Sequence, residues 1–230
     1  QKFRPIADFL ASIQYLNLVP QLVREPDRMA GRTGDPYGAD FIEQIARTPE
    51  KTRNAWLRRI REALVLAVPQ LRELEMWRDV RGAPHLRGKY EHWRPQGAWQ
   101  TEGDFSDGTL RLMGLLWSMI ETGGPLLLEE PEISLHPAVV EHVPQMLHRM
   151  QRGSGRQVML TTHSSDLLKD GGIGLDEVLL LEPSREGTKA RLASAIDEVR
   201  DLLAGGLTMG EIVLARTRPQ GAGQLALFGA

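Results

Sequence analysis

The sequence predicts an α/β protein built on a mainly parallel sheet, and three stretches carry that prediction. Leu126, Leu127 and Leu128 form an apolar run too short for a helix of its own, set between Gly123-Gly124-Pro125 and Pro131, the pattern of a buried parallel strand. Gln157-Val158-Met159-Leu160 repeats it, with a helix-length segment between the two. Upstream, Leu110, Leu112, Met113, Leu115, Leu116, Trp117, Met119 and Ile120 make a helix apolar on most sides, hence buried.

At 230 residues and 41% hydrophobic content the chain supports one sizeable core with room for a subdomain. No apolar run approaches a membrane span and no signal peptide is evident. Zero cysteines exclude disulfides and thiolate metal sites and fit a reducing cytosol, so a cytoplasmic protein is expected. A net charge of −2 decides nothing about nucleic acid, because a basic patch would be local. The chain begins at Gln1 and contains no Gly-x-x-x-x-Gly-Lys-Ser/Thr; its Gly88-Lys89 lacks the upstream glycine and is followed by Tyr90.

Taken in order, Phe3 to Leu18 holds a short helix with Ile6, Phe9, Leu10 and Ile13 on one face, then a strand within Ile13 to Leu18 that Pro20 ends. Arg24 to Tyr37 has loop composition. Asp40 to Arg47 reads as a short helix, and Thr48-Pro49-Glu50 as the start of a long one, with Thr48 as N-cap and a stop before Pro69. Trp56, Leu57, Ile60, Ala63, Leu64 and Ala67 fall at three- and four-residue spacing, leaving Lys51, Arg53, Arg58, Arg59 and Arg61 on the other faces. That basic surface is either solvated or a contact for nucleic-acid phosphates. Leu71 to Val80 and His85 to Trp93 read as a hairpin around Arg81-Gly82-Ala83-Pro84. Its His85, Arg87, Lys89, His92 and Arg94, interleaved with Tyr90 and Trp93, suit nucleic acid, although a half-buried strand with a polar outer face has the same pattern.

The chemistry concentrates after residue 104. Ser106-Asp107-Gly108-Thr109 opens the apolar helix, with Ser106 and Asp107 suited to capping. Glu129 and Glu130 stand together where the Leu126 to Leu128 strand ends, and adjacent acids there are costly unless a cation or a proton compensates. Thr161-Thr162-His163-Ser164 follows the second strand, placing a polar His163 after a buried run.

The turn before a helix, the Leu-Leu-Leu-Glu-Glu-Pro-Glu strand, Leu135-His136-Pro137, a helix, a strand and Thr-His-Ser, in that order, resemble the C-terminal part of an ABC-class ATPase head. The likeness is to the RecF, OLD and SMC-like group rather than to transporters, and runs strongly from Phe105 to Leu181. It implies a P-loop NTPase fold using ATP and Mg²⁺. It implies Glu129 as the Mg²⁺ ligand, Glu130 as the base that orients the attacking water, and His163 as a switch that senses the γ-phosphate. Ser106, Asp107, Gly108 and Thr109 match the signature turn, which binds the γ-phosphate of an opposite subunit. Asp107 stands where transporters favour glycine, as it does in the RecF and OLD-like branch. Ser134 and His136 match the loop on the dimer seam. Because the phosphate loop is absent, the chain is expected to be the C-terminal part of a longer protein and inactive alone.

Downstream, a helix from Ala138 directs Val139, Val140, Val143, Met146, Leu147 and Met150 inward and is bent by Pro144, with Gly153-Ser154-Gly155 ending it. Val178 to Leu181 reads as a further core strand, Thr188 to Ala195 as an edge strand and Ile196 to Leu203 as a helix. The expected organisation is an inserted helical and hairpin arm over 1–104, the ATPase lobe over 105–205 and a flexible tail over 206–230. Within the tail, Gln224, Leu225, Leu227 and Phe228 resemble the short peptide with which bacterial repair and replication proteins dock on a sliding clamp; folding back on the head is the alternative. The resemblance implies a homodimer closed on ATP that acts on DNA in repair, replication or anti-phage defence, without a membrane and with room for an effector nuclease subunit. Two other functions stay open: a nucleotide-gated scaffold with little hydrolysis, and a component that mainly binds DNA.

Overall fold

A computed structural model describes residues 2–25, 34–92, 97–219 and 221–227. The chain forms two compact units, one of residues 1–139 and 147–162, the other of 140–146 and 163–230.

The first unit opens with helix α1 (Arg4–Ser12), strand β1 (Gln14–Leu16) and helix α2 (Pro20–Val23). None of the residues of α1 is buried, and Phe3, Ile6, Phe9 and Leu10 are all more than half exposed, so its apolar face is open. Pro20 does not end β1. It stands at the first position of α2, where its fixed φ and missing N–H are tolerated.

Helices α3 (Phe41–Arg47) and α4 (Glu50–Ala67) follow. Thr48 is not the cap of α4: its hydroxyl donates to the Gln44 carbonyl at 3.1 Å and so closes α3, while Pro49 precedes α4 with no side-chain cap. Leu57, Ile60 and Leu64 are buried along α4, and Trp56 meets Trp117 edge-on at 5.1 Å.

Strands β2 (Leu71–Arg78), β3 (Pro84–Tyr90) and β4 (Ala98–Thr101) form an antiparallel sheet in that order. The third strand was not expected, because Ala-Trp-Gln-Thr is too short and mixed to announce itself. Period-two alternation puts Leu86 on the buried face and His85, Arg87 and Lys89 on the other. There Arg87 pairs with Glu75 and stacks on Trp77 and Trp99, Lys89 pairs with Glu73, and His85 bonds to the buried Glu102. Arg87 and Lys89 are thus matched by acids on the neighbouring β2, the half-buried-strand alternative. Trp93 and Arg94 lie outside the described residues.

Helix α5 (Asp107–Ile120) is the core of the unit, with Leu110, Met113, Leu115 and Trp117 at 2% exposure or less. Strand β5 (Leu126–Glu129) then runs through the middle of a parallel sheet. After helices α6 (Pro137–Val140) and α7 (Val143–Ser154), strand β6 (Val158–Thr161) completes the order β1-β5-β6. The expected single bent helix is therefore two, and Pro144 lies in the first turn of α7, where proline is tolerated. The β1 pairing means that the parallel sheet draws on residues from both sides of position 104/105. Buried Arg156 ties it together: its guanidinium donates to the carbonyls of Gly124, Ser118 and Glu121 and to the Gln14 side chain.

The second unit contains an antiparallel hairpin, β7 (Leu179–Ser184) and β8 (Gly187–Leu192), followed by α8 (Asp197–Ala204) and α9 (Met209–Thr217). Leu180 is buried but Leu179 and Leu181 are about half exposed, so β7 is not the core strand expected. The stretch 206–217, read as flexible tail, holds α9 instead. Thr208 and Glu211 form a reciprocal capping box at its start, and Arg216 near its end pairs with Glu182 and Glu198. Among the described residues, no helix is long and apolar enough to cross a membrane.

Candidate functional site

In the first unit the site is built where β5 runs out. Leu126 and Leu128 point into the core, while Glu129, at the last position of the strand, is exposed. Glu129 accepts a hydrogen bond from the Tyr15 hydroxyl. That bond, more than burial, raises the Tyr15 phenol above its ordinary range. Tyr15 was not foreseen as a site residue; its signal would have been an aromatic hydroxyl on a strand next to the acids.

Glu130 departs from strand geometry with φ +41°, and Ser134 follows with φ +66°. Among the described residues these are the non-glycine positions with positive φ, a backbone that costs roughly 1–2 kcal/mol each and persists only where the surroundings impose it. The imposing contacts are visible. The Glu130 amide donates to the Thr161 carbonyl at 3.0 Å and lies 3.3 Å from the Thr161 hydroxyl, at the end of the neighbouring β6. Glu132, also unforeseen, is buried, accepts from the Thr162 hydroxyl and leaves its second oxygen without a donor.

The turn before α5 packs against the same loop. A Cβ at Gly108 would overlap the Ser134 carbonyl oxygen, so only glycine permits this approach. Ser106 caps α5, its exposed hydroxyl accepting from the Thr109 amide at 3.1 Å and sharing a hydrogen bond with the Thr109 hydroxyl at 2.8 Å. Asp107 is paired with Arg24 at 2.6 Å, and the same guanidinium nitrogen donates to the Phe105 carbonyl at 2.7 Å. His136 behaves as a helix-start residue, its Nδ1 accepting from the Ala138 amide at 3.2 Å. Ser106 and Gly108 thus lie at the head of α5, and Glu129, Glu130 and Ser134 at the end of β5 and in the loop after it, all in one unit and joined by the contact of Gly108 with Ser134. His163 follows Thr162 directly in the chain, is exposed and belongs to the second unit.

Among the described residues no group of three or more His, Asp or Glu could hold a metal ion by itself. Glu129, exposed and with one oxygen left by Tyr15, fits Mg²⁺, which keeps several waters and is held through one or two carboxylates plus substrate phosphates.

An uncharacterized protein of Methanocaldococcus jannaschii, MJECL11, is 35% identical over 81 residues, 35% of this chain and 63% of that protein's length. The match thus spans less than two thirds of that relative. Two solved structures align at a TM-score of 0.45. One comes from work titled "Structural biochemistry of ATP-driven dimerization and DNA stimulated activation of SMC ATPases", at 12% identity over 71% of this chain and 95% of that one. The other is an Smc head domain with an extended coiled coil, bound to the C-terminal domain of ScpA, from Pyrococcus furiosus, at 14% identity over 72% and 44%. Residues 4–169, well over half of the chain, match the family described as "AAA domain, putative AbiEii toxin, Type IV TA system", and the chain belongs to that family.

Proposed function

We propose that this chain is the distal part of an ATP-hydrolysing head that dimerises around two nucleotides and drives a DNA-associated process. The observation that carries this is Glu130, an acid at the end of the central parallel strand, held in a left-handed backbone by its hydrogen bonds to Thr161. Strained residues of this kind gather at functional sites.

In this proposal Glu130 accepts the proton of the attacking water, and Glu129 holds Mg²⁺. The ion, when bound, would neutralise charge on the phosphate oxygens. The Ser106 hydroxyl and the first amides of α5 meet the γ-phosphate held by the opposite subunit, with Gly108 and Thr109 shaping that turn. Arg24 neutralises Asp107, which removes a negative charge that would otherwise repel that phosphate. His163, in the second unit, would take the role of γ-phosphate sensor that the resemblance gives it. The phosphate loop would be supplied by sequence outside these 230 residues.

The family description, with its toxin–antitoxin setting, favours defence among the DNA-linked roles. DNA contact would fall on α4, where Lys51, Arg58 and Arg59 are exposed, rather than on the sheet, whose Arg87 and Lys89 are matched by Glu75 and Glu73.

The test is single-turnover hydrolysis by the full-length protein carrying Glu130→Gln. The amide keeps the shape of the acid but accepts no proton, so turnover should fall by about 10²–10⁴ while ATP binding persists. Turnover at the wild-type rate would remove Glu130 from the mechanism. Turnover that is negligible in the wild type itself would favour the nucleotide-gated scaffold.

A further inference from the structure

Glu129 is the first acid of the pair, and what holds it is not another charge but a phenol on a different strand. Strand β1 is only three residues long, yet its pairing with β5 is in register: Gln14 with Leu126, Tyr15 with Leu127, Leu16 with Leu128. Alternation then puts Tyr15, Leu127 and Glu129 on one face, with Leu126 and Leu128 on the other, buried face. Glu129 lies two residues beyond Leu127, about 6.6 Å along a parallel strand, a span that a tyrosine covers and a serine or threonine does not. The Tyr15 hydroxyl closes that gap onto one oxygen, Oε2.

The backbone leaves little freedom in this placement. The Gln14 amide donates to the Pro125 carbonyl at 2.9 Å just before the pairing begins, and the Asn17 amide donates to the Pro36 carbonyl at 2.9 Å just after it. Gln14 itself is gripped by Arg156, which also holds the Gly124 carbonyl ahead of β5. Both strands that bring Tyr15 to Glu129 are therefore anchored at the same end by one buried side chain.

We propose that Tyr15 is a positioning residue for Glu129: its hydroxyl occupies one carboxylate oxygen, fixes the direction of the acid and leaves the other oxygen for a divalent cation. A phenol suits this task because it is a neutral donor. A lysine or arginine in its place would orient the acid but also neutralise it, weakening the attraction for a cation, whereas a phenylalanine would fill the space and orient nothing. Partners of this type, behind a metal-binding side chain, typically change metal affinity by about 10–100-fold when removed.

The inference rests on Glu129 being the cation-binding acid, and the experiment separates the two ideas. Mn²⁺ is titrated into full-length wild type, Tyr15→Phe, Glu129→Gln and the double variant, each with a non-hydrolysable ATP analogue, and free Mn²⁺ is read by electron paramagnetic resonance. Tyr15→Phe should weaken Mn²⁺ binding by about 10-fold or more, with the melting temperature and the metal-free affinity for the analogue unchanged. Glu129→Gln should weaken it further, and the double variant should match Glu129→Gln alone, because the phenol then has no acid to position. Wild-type Mn²⁺ affinity in Tyr15→Phe alongside a loss in Glu129→Gln overturns the role of Tyr15 and leaves that of Glu129 standing. Losses that add in the double variant overturn it as well, since they put Tyr15 on a separate path. Unchanged affinity in both single variants overturns the assignment of Glu129 and the proposal with it.

Discussion

Gly108 and the carbonyl of Ser134 are in direct backbone contact, and this contact joins the turn at the head of α5 to the loop that follows the paired acids. The obstructing atom belongs to the backbone and cannot rotate away. Gly108→Ala should therefore displace one loop or the other, destabilising the first unit by about 1–3 kcal/mol, the range for overpacking. A thermal melt with the wild-type midpoint would show that the two loops are not packed in solution.

Glu130 is predicted to trade stability for activity. Replacing it by glycine relieves the positive φ, worth roughly 1–2 kcal/mol, while the added freedom of the unfolded chain takes back about 0.5–1 kcal/mol. Glu130→Gly should thus be as stable in urea as wild type or more stable by up to about 1.5 kcal/mol, although the full-length protein loses turnover. A large loss of stability would mean that the Glu130 side chain holds the loop, not its amide.

The second unit should be acid-sensitive through Glu182. Its pKa is lowered, first by the hydrogen bond from Arg191 and then by that from Arg216, against an opposing contribution from burial. A carboxylate with a lowered folded-state pKa stabilises the fold fully above its unfolded value, about 4.3, and that stabilisation drains away as pH falls through the lower folded value. Thermal melts between pH 7 and pH 3 should show the loss setting in below about pH 4–5 and flattening in Glu182→Gln. An unchanged slope in that variant would place the acid sensitivity elsewhere.

The C-terminal peptide yields the last prediction. Leu227 is 68% exposed, and Phe228 lies outside the described residues. If the segment from Gln224 docks on a sliding clamp, a peptide of the last twenty or so residues should bind the host clamp in the micromolar range, and Leu227→Ala with Phe228→Ala should abolish binding. No binding at about 100 μM, near −5.5 kcal/mol, would return these residues to a packing role.

Sequence alone was enough for the features whose cause is local. Helix α5 was legible because its apolar residues recur around every face and Ser106 supplies a cap; β5 and β6 were legible because short apolar runs end at glycine, proline or polar residues. The paired acids could be placed at a strand end for the same reason. What only the tertiary structure decided depends on partners distant in the chain. Strand β1 is three residues long, and nothing in Gln-Tyr-Leu specifies pairing with a strand more than a hundred positions away, so Tyr15 had no visible connection to Glu129. Glu132 with Thr162, Arg24 with Asp107 and Gly108 with Ser134 are likewise meetings of separate segments. The left-handed backbone of Glu130 is the clearest case: glutamate has no local preference for it, and it exists because β6 lies alongside and takes the Glu130 amide onto Thr161. Composition and periodicity report which residues avoid water, whereas pairing across the sheet determines which of them meet.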